Sequence, residues 1–288
     1  MTPPVCLTVA GTDSGGAAGV AADLATFAGL GVHGGCVVTA VTAQDTTGVH
    51  DVHPVPTASV QRQWEAVLGD LSVAAVKTGM LGTAEVVEWL SHRLAGLATS
   101  QGTSRGASVV VDPVLVATSG AVLGDAEVAR AYVEALLPVC TVVTPNLEEA
   151  RALAGDPTAG PRELAGRLSE LGPAVVVTGG PDGAAIDGPC RDWLAEPGRE
   201  PVALTHPAVD TEHDHGTGCT FSAALAAHLA HGLALTGAVE ASADFTTRQL
   251  RLSRDWRLGR GRGSIAHLTT TGPVAGTRLP TTSLRGAR

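Results

Sequence analysis

From end to end, this chain alternates short apolar runs with longer stretches of helical pattern, and that alternation constrains its fold more than any other feature. The runs are Val5–Ala10, Gly35–Ala40, Ala74–Lys77, Ser108–Val111, Thr141–Val143 and Ala174–Thr178. The helical stretches are Gly19–Leu30, Thr57–Leu71, Ala84–Leu97, Ala126–Leu136, Leu147–Ala154, Pro161–Leu171 and Thr217–His231. Strands that read as nearly unbroken apolar runs belong to a parallel sheet covered by helices on both faces. An α/β fold with a central, mostly parallel sheet is therefore expected. Between Pro181 and Pro201 the pattern gives way to Gly, Pro and Asp, which predicts hairpins and turns. No internal repeat and no linker divides the chain. A single domain is expected over residues 1–268, with a frayed tail over 269–288 that is rich in Thr, Gly, Pro and Arg.

Composition removes several classes of function. At 288 residues and 44% hydrophobic, the chain can bury a large core. Its net charge of −9 argues against nucleic acid as a partner. The basic stretch from Arg248 to Arg262 reads as a solvated helix face and the turn after it. No apolar run has the length of a membrane span, so no membrane partner is expected. The start, Met1-Thr2-Pro3-Pro4, lacks the basic region of a signal peptide. The five cysteines are odd in number, widely spaced and without a CxxC pair, which suits reduced thiols in the cytoplasm. Lys77 is the only lysine, so any role that demands one falls on Lys77 or goes unfilled.

In a parallel α/β sheet, ligands collect where loops and helix N-termini converge at the carboxyl ends of strands. Four segments of unusual composition fall at such positions. The first, Gly11-Thr12-Asp13-Ser14-Gly15-Gly16-Ala17-Ala18-Gly19, lacks the ending of a P-loop and the spacing of a dinucleotide fingerprint. Its glycines permit either close approach of a ligand or simply a tight turn. The second, Thr39 to Gly48, contains Gln44, whose amide both donates and accepts and so can read the edge of a heteroaromatic ring. A polar loop residue facing water is the ordinary alternative.

The third segment combines Asp112-Pro113-Val114 with Thr144-Pro145-Asn146-Leu147-Glu148-Glu149. Asp112, Asn146 and Glu149 can together position a hydrated Mg2+, a cation that prefers oxygen ligands and retains water. Asn146 with Glu149 three residues on also reads as a helix capping box, and both readings can hold at once. The fourth is His215-Gly216-Thr217-Gly218-Cys219-Thr220, opening an apolar helix. Glycines around a threonine at a helix start expose consecutive N–H groups that bind anions. A glycine-rich cap with a buried cysteine is the plainer reading. His213 and His215, without further spaced ligands, read as loop residues beside phosphates rather than a metal site.

In this order and spacing, LTVAGTDSGG…AGVAADL, VTAVTAQDTTGV, VKTGMLG, VVDPV, TPNLEEA and HGTGCT resemble the hydroxymethylpyrimidine/phosphomethylpyrimidine kinases of thiamine biosynthesis. The resemblance runs from about Val5 to about His267. It implies a ribokinase-like fold and ATP-dependent phosphorylation, with Mg2+, of 4-amino-5-hydroxymethyl-2-methylpyrimidine and then of its monophosphate. It implies a pyrimidine pocket of Ala18, Thr42, Gln44 and Met80 with Asp23 at its edge. It places Gly216, Thr217 and Gly218 at the transferring phosphoryl group, and Thr178, Gly180 and His215 at the nucleotide. Asn146 and Glu149, with Asp112 nearby, become the metal-associated set. Cys219 stands where many ribokinase-like enzymes have aspartate. A thiol at a helix N-terminus is expected to titrate below about 8.5, which suits a base. A homodimer is the family tendency.

Several positions depart from the family pattern. Ala21 replaces a usual glutamine, Thr118 and Thr178 stand where lysine is common, and Asp214 stands where threonine is usual. The missing lysines predict weaker nucleotide contacts, and Asp214 adds an opposing charge beside the anion turn. Arg260 and Arg262 are the candidates to compensate. Two other functions compete: a pyridoxal/pyridoxine kinase, and a pyrimidine-binding homologue with weakened or lost catalysis.

Overall fold

A computed structural model describes residues 2–100, 106–115, 123–179 and 189–267. The expected tail over 269–288 lies outside them, as do Thr118 and Gly180. The strands are β1 (Val5–Ala10), β2 (His33–Val38), β3 (Ala40–Asp45), β4 (Gly48–Pro54), β5 (Val73–Thr78), β6 (Ser108–Val111), β7 (Val142–Val143), β8 (Ala174–Val177), β9 (Cys190–Ala195) and β10 (Val202–His206). The helices are α1 (Gly19–Gly29), α2 (Thr57–Leu68), α3 (Ala84–Ser100), α4 (Ala126–Ala131), α5 (Leu147–Ala154), α6 (Pro161–Ser169), α7 (Thr217–Ala230) and α8 (Leu235–Ser253).

Eight strands form one sheet in the order β10-β9-β8-β7-β6-β5-β1-β2, parallel from β8 to β2. The last two join antiparallel, as β8 against β9 and β9 against β10. That antiparallel edge is the hairpin expected in the Pro181–Pro201 region, extended to His206. Alternate strand residues face opposite sides, which is why both sides must be apolar. Leu7, Val9, Val76, Val109, Val111 and Val175 pack with Trp64 of α2, Leu90 of α3 and Leu164 of α6. Cys6, Ala75, Val110, Val142 and Val176 pack with Phe27 of α1, Leu225 of α7 and Val239 of α8. The architecture is the expected α/β sandwich with helices on both faces.

Two elements differ from expectation. Residues 39–48 were expected as a loop, but β3 and β4 form a separate two-stranded antiparallel sheet standing off the main one. The apolar run placed at Gly35–Ala40 splits accordingly, with β2 ending at Val38 and β3 beginning at Ala40. Helix α8 also went unpredicted over most of its length. Its buried face includes Ser242, Thr246, Thr247 and Gln249, so it carries no clean hydrophobic stripe.

Candidate active site

The chain reverses direction in the sheet between β1 and β5, which lie side by side while β2 continues outward. A crevice opens at such a switch point, at the carboxyl ends of the strands. The loop after β1 and the hairpin β3–β4 close over it. Ser14 stitches them together, its Oγ donating to the Gln44 carbonyl at 2.6 Å and accepting from the Gln44 N–H at 2.8 Å. Asp13 organises the loop. Its carboxylate accepts from the N–H groups of Gly15, Ala17 and Ala18 at 2.7, 3.1 and 2.9 Å. Burial alone would raise that carboxyl, but the His215 hydrogen bond and these amides hold it below the usual range.

A cavity of about 80 Å3 results, lined by Gly11, Thr12, Asp13, Ala18, Gly19, Thr42, Gln44, Gly79, Met80, Val114, Leu123 and Cys219. Ala18, Thr42, Gln44 and Met80 thus come together with Cys219. Asp23 does not line it. The Asp23 side chain is wholly buried on α1, accepting from Lys77 Nζ at 2.8 and 3.0 Å and from Thr8 Oγ1 at 2.5 Å. The reason is local: Asp23 faces the sheet, where β5 presents the one lysine.

The loop after β1 and the start of α7 meet at van der Waals range. Gly216 has φ +89°, and a Cβ there would fall 1.8 Å from the Ala17 carbonyl oxygen. Only glycine satisfies both the left-handed backbone and the contact. Gly19 is similarly placed, with φ +57° and the Gly11 carbonyl oxygen 2.3 Å from a hypothetical Cβ. The glycines of the first loop therefore serve close backbone approach as well as turning.

A second, larger cavity of about 630 Å3 lies on the other side of the α7 N-terminus. Its wall includes Asn146, Thr178, Gly179, His206, Asp214, Thr217, Gly218 and Phe221. Thr178, just past β8, is bridged to Asn146, the N-cap of α5. His215 does not line this cavity. Its Nε2 lies 3.2 Å from Asp13 Oδ2 and 3.0 Å from Gln44 Nε2, so the imidazole sits with residues that line the smaller cavity.

Cys219 links the two spaces, since it lines the smaller cavity while Thr217 and Gly218 line the larger. Its side chain is half-buried. The expectation of a lowered thiol pKa is reversed, because burial pushes it up to about 12. The Lys77 ammonium opposes that rise, while Asp112 and Asp23 reinforce it. Lys77 itself is fully buried. Burial alone would depress it, but Asp23, Cys219 and Asp112 hold it above the usual lysine value. The single lysine therefore serves beneath the site, and the described residues lining the larger cavity include no lysine.

The expected metal set is partly engaged in structure. Asn146 and Glu149 form the capping box, with Glu149 N–H donating to Asn146 Oδ1 at 2.9 Å and Asn146 N–H to Glu149 Oε2 at 3.0 Å. Asp112 accepts from Ser222 Oγ at 3.0 Å and lies 3.8 Å from Lys77 Nζ. Burial, then the charge of Asp112, pushes Glu149 up to about 8. Among the described residues no three His, Cys, Asp or Glu side chains cluster closely enough to cage a metal. Two mutually repelling buried carboxylates still suit a hydrated Mg2+, which needs only one or two protein oxygens besides phosphate and water.

A parallel sheet with a glycine-rich anion turn opening a central helix, flanked by two cavities, defines a ribokinase-like α/β protein. The phosphomethylpyrimidine kinase family model matches residues 13–266, and the chain belongs to that family of phosphotransferases. Among relatives, the hydroxymethylpyrimidine/phosphomethylpyrimidine kinase of Haemophilus influenzae is 40% identical, covering 91% of this chain and 95% of its own. That of Synechococcus elongatus is 41% identical, covering 93% and 98%. Among solved structures, the ADP complex of Bacillus subtilis pyridoxal kinase superposes with a TM-score of 0.82 at 33% identity, covering 92% of this chain and 98% of that one.

Proposed function

We propose that this chain transfers the γ-phosphoryl group of ATP to the hydroxymethyl oxygen of 4-amino-5-hydroxymethyl-2-methylpyrimidine, and then phosphorylates the monophosphate, in thiamine biosynthesis. One observation carries the reading: a single helical turn, Thr217–Gly218–Cys219, is shared by the two cavities. Donor and acceptor would meet across it. The pyrimidine would lie against Ala18, Thr42 and Met80, with the Gln44 amide reading its edge. The phosphates would lie on the N–H groups of Gly216–Cys219, which together with the α7 dipole stabilise charge developing in transfer. Thr178 would flank the nucleotide.

Phosphoryl transfer is largely positioning and charge stabilisation, so little covalent work falls to the protein. The acceptor oxygen bonds to the γ-phosphorus, the bond to ADP breaks, and the hydroxyl proton passes late to an oxygen of the transferred phosphoryl group and from there to water. Cys219, as a thiol, orients that hydroxyl. Mg2+ bound near Asp112, Asn146 and Glu149 would supply charge neutralisation for the polyphosphate. A cytoplasmic location agrees with five cysteines that are odd in number, widely spaced and without a CxxC pair. A homodimer agrees with Val41 and Val52, exposed on the two-stranded sheet.

The likeness to pyridoxal kinase favours a second reading, since pyridoxal also bears a hydroxymethyl group on a heteroaromatic ring. The test is ATP consumption by the purified protein with Mg2+, offered the pyrimidine, its monophosphate and pyridoxal in parallel, with products identified by mass. Turnover of both pyrimidines is expected. Turnover of pyridoxal alone would replace this reading with the second, and silence with all three would remove both.

A further inference from the structure

The charges around the larger cavity are paired. Its described lining residues contribute three carboxylates, Glu148, Asp192 and Asp214, and neither lysine nor arginine. Each carboxylate has a basic partner standing beside it. Glu148 meets Arg151 Nη1 at 2.8 Å, and Asp192 meets His206 Nε2 at 3.3 Å. Asp214 is held in a two-point pair by Arg262, through Nε and Nη2.

Of the three, Asp214 matters most to an anion on the turn. Its carbonyl accepts from both the N–H and the hydroxyl of Thr217, at 3.1 and 2.6 Å, so its backbone is tied to the first turn of α7. The backbone that carries the carboxylate is thereby anchored beside the amides of the turn. An exposed ion pair ordinarily contributes little, because two mobile side chains must be held together. Here the backbone of Arg262 is held on both sides. Gly263 N–H donates to the Glu212 carbonyl, and His215 N–H to that of Gly263, at 3.1 and 3.0 Å. Just upstream, the N–H groups of Arg260 and Gly261 both donate to Thr46 Oγ1 at 3.1 Å. The guanidinium then meets the carboxylate with the forked geometry that makes such pairs strong.

We propose that Arg262 is a positioning residue for the nucleotide: by engaging Asp214 it keeps that carboxylate's charge from repelling phosphate at the Gly216–Gly218 turn. This rests on the reading that the phosphates occupy that turn. Arg262 acts through Asp214, so the effect of losing it depends on what stands at 214.

The experiment measures MgATP affinity and the separate KM values for ATP and acceptor in four proteins: wild type, Arg262→Ala, Arg262→Ala with Asp214→Thr, and Gly218→Leu. Arg262→Ala should weaken ATP by about tenfold, with the acceptor KM shifted by less than about twofold and the defect shrinking as salt is raised. Adding Asp214→Thr should bring ATP affinity back to within about threefold of wild type. A loop damaged structurally would move both KM values, since it also grips the hairpin at Thr46, and threonine at 214 would not repair it. The proposal is overturned if Arg262→Ala binds ATP normally, or if its defect persists in the double variant. In the first case Gly218→Leu tells which idea failed. Loss of ATP binding there leaves the phosphate site standing without Arg262's role, and unchanged binding removes both.

Discussion

Lys77 Nζ donates to both carboxylate oxygens of Asp23, at 2.8 and 3.0 Å, and neither side chain has any exposed surface. The pair lies under the pocket, with Asp112, just past the end of the next strand, 3.8 Å from Lys77 Nζ. Removing one partner strands a buried charge, a change that costs about 3–5 kcal/mol. Lys77→Met should therefore unfold in urea at a markedly lower midpoint. Asp23→Leu with Lys77→Met, which removes both charges, should recover a large part of that loss. Equal instability of the single and double variants would show that the pair's geometry, not its charge, matters.

Cys219 should behave as a neutral thiol. With burial pushing it up to about 12, its alkylation by iodoacetamide near pH 8 should be slow compared with that of a free thiol. Turnover should show no thiol limb between pH 7 and pH 9. Cys219→Ala should reduce kcat by about a hundredfold with little change in acceptor KM, while Cys219→Ser should lie within about tenfold of wild type. A steep rise in kcat with pH that vanishes in the serine variant would instead point to a thiolate base.

His206 should give nucleotide binding a pH dependence. Its imidazole is raised above the usual value, first by the hydrogen bond to Asp192, then by that charge and by Asp244, against the effect of burial. A raised folded-state pKa means the stabilising charge is fully present below the unfolded value and is lost as pH rises through the folded one. ATP affinity and melting temperature should both decline over that interval. His206→Gln should flatten the decline. An unchanged slope in that variant would assign the titration elsewhere.

Gly216 and Gly218, two residues apart, should respond oppositely to a side chain. Gly216→Ala forces a Cβ into the Ala17 carbonyl at φ +89° and should cost at least about 1–3 kcal/mol, read as a lowered melting temperature. A Cβ on Gly218 meets nothing within 4 Å, so Gly218→Ala should keep or slightly raise stability. If both variants melted alike, the close approach of the two loops would be wrong.

Much of the site could be read from the chain because its parts are local. A strand followed by a glycine-rich loop, or Asn146 three residues before Glu149, encodes its geometry within a few residues. The hairpin β3–β4 escaped because its burial runs against its hydrophobicity: Val41 and Ala43 face solvent with Thr42 buried between them, and most of β4, Val52 included, is exposed. Its signal was the turn Asp45-Thr46-Thr47-Gly48, where the Asp45 carboxylate accepts from the Thr47 N–H at 2.8 Å. Helix α8 escaped because small and polar residues fill its buried face. Asp13 was passed over as one polar residue of a loop, since its acceptor role depends on three amides curling back to it.

The sequence by itself determined the layered α/β fold, the family and part of the set of residues that gather at the crevice, Ala18, Thr42, Gln44, Met80 and Cys219 among them, because apolar periodicity and short loop motifs are properties of neighbouring residues. Which charges face each other was decided only by the tertiary structure. Lys77 and Asp23 are 54 positions apart and Arg262 and Asp214 are 48. The packing of α1 and α7 against β5, and the register of the final loop beside residues 212–215, turned a lone lysine into a buried support. The same register placed an arginine of the basic stretch against the carboxylate beside the anion turn. Electrostatics depends on distance and burial, and neither is written in the order of the residues.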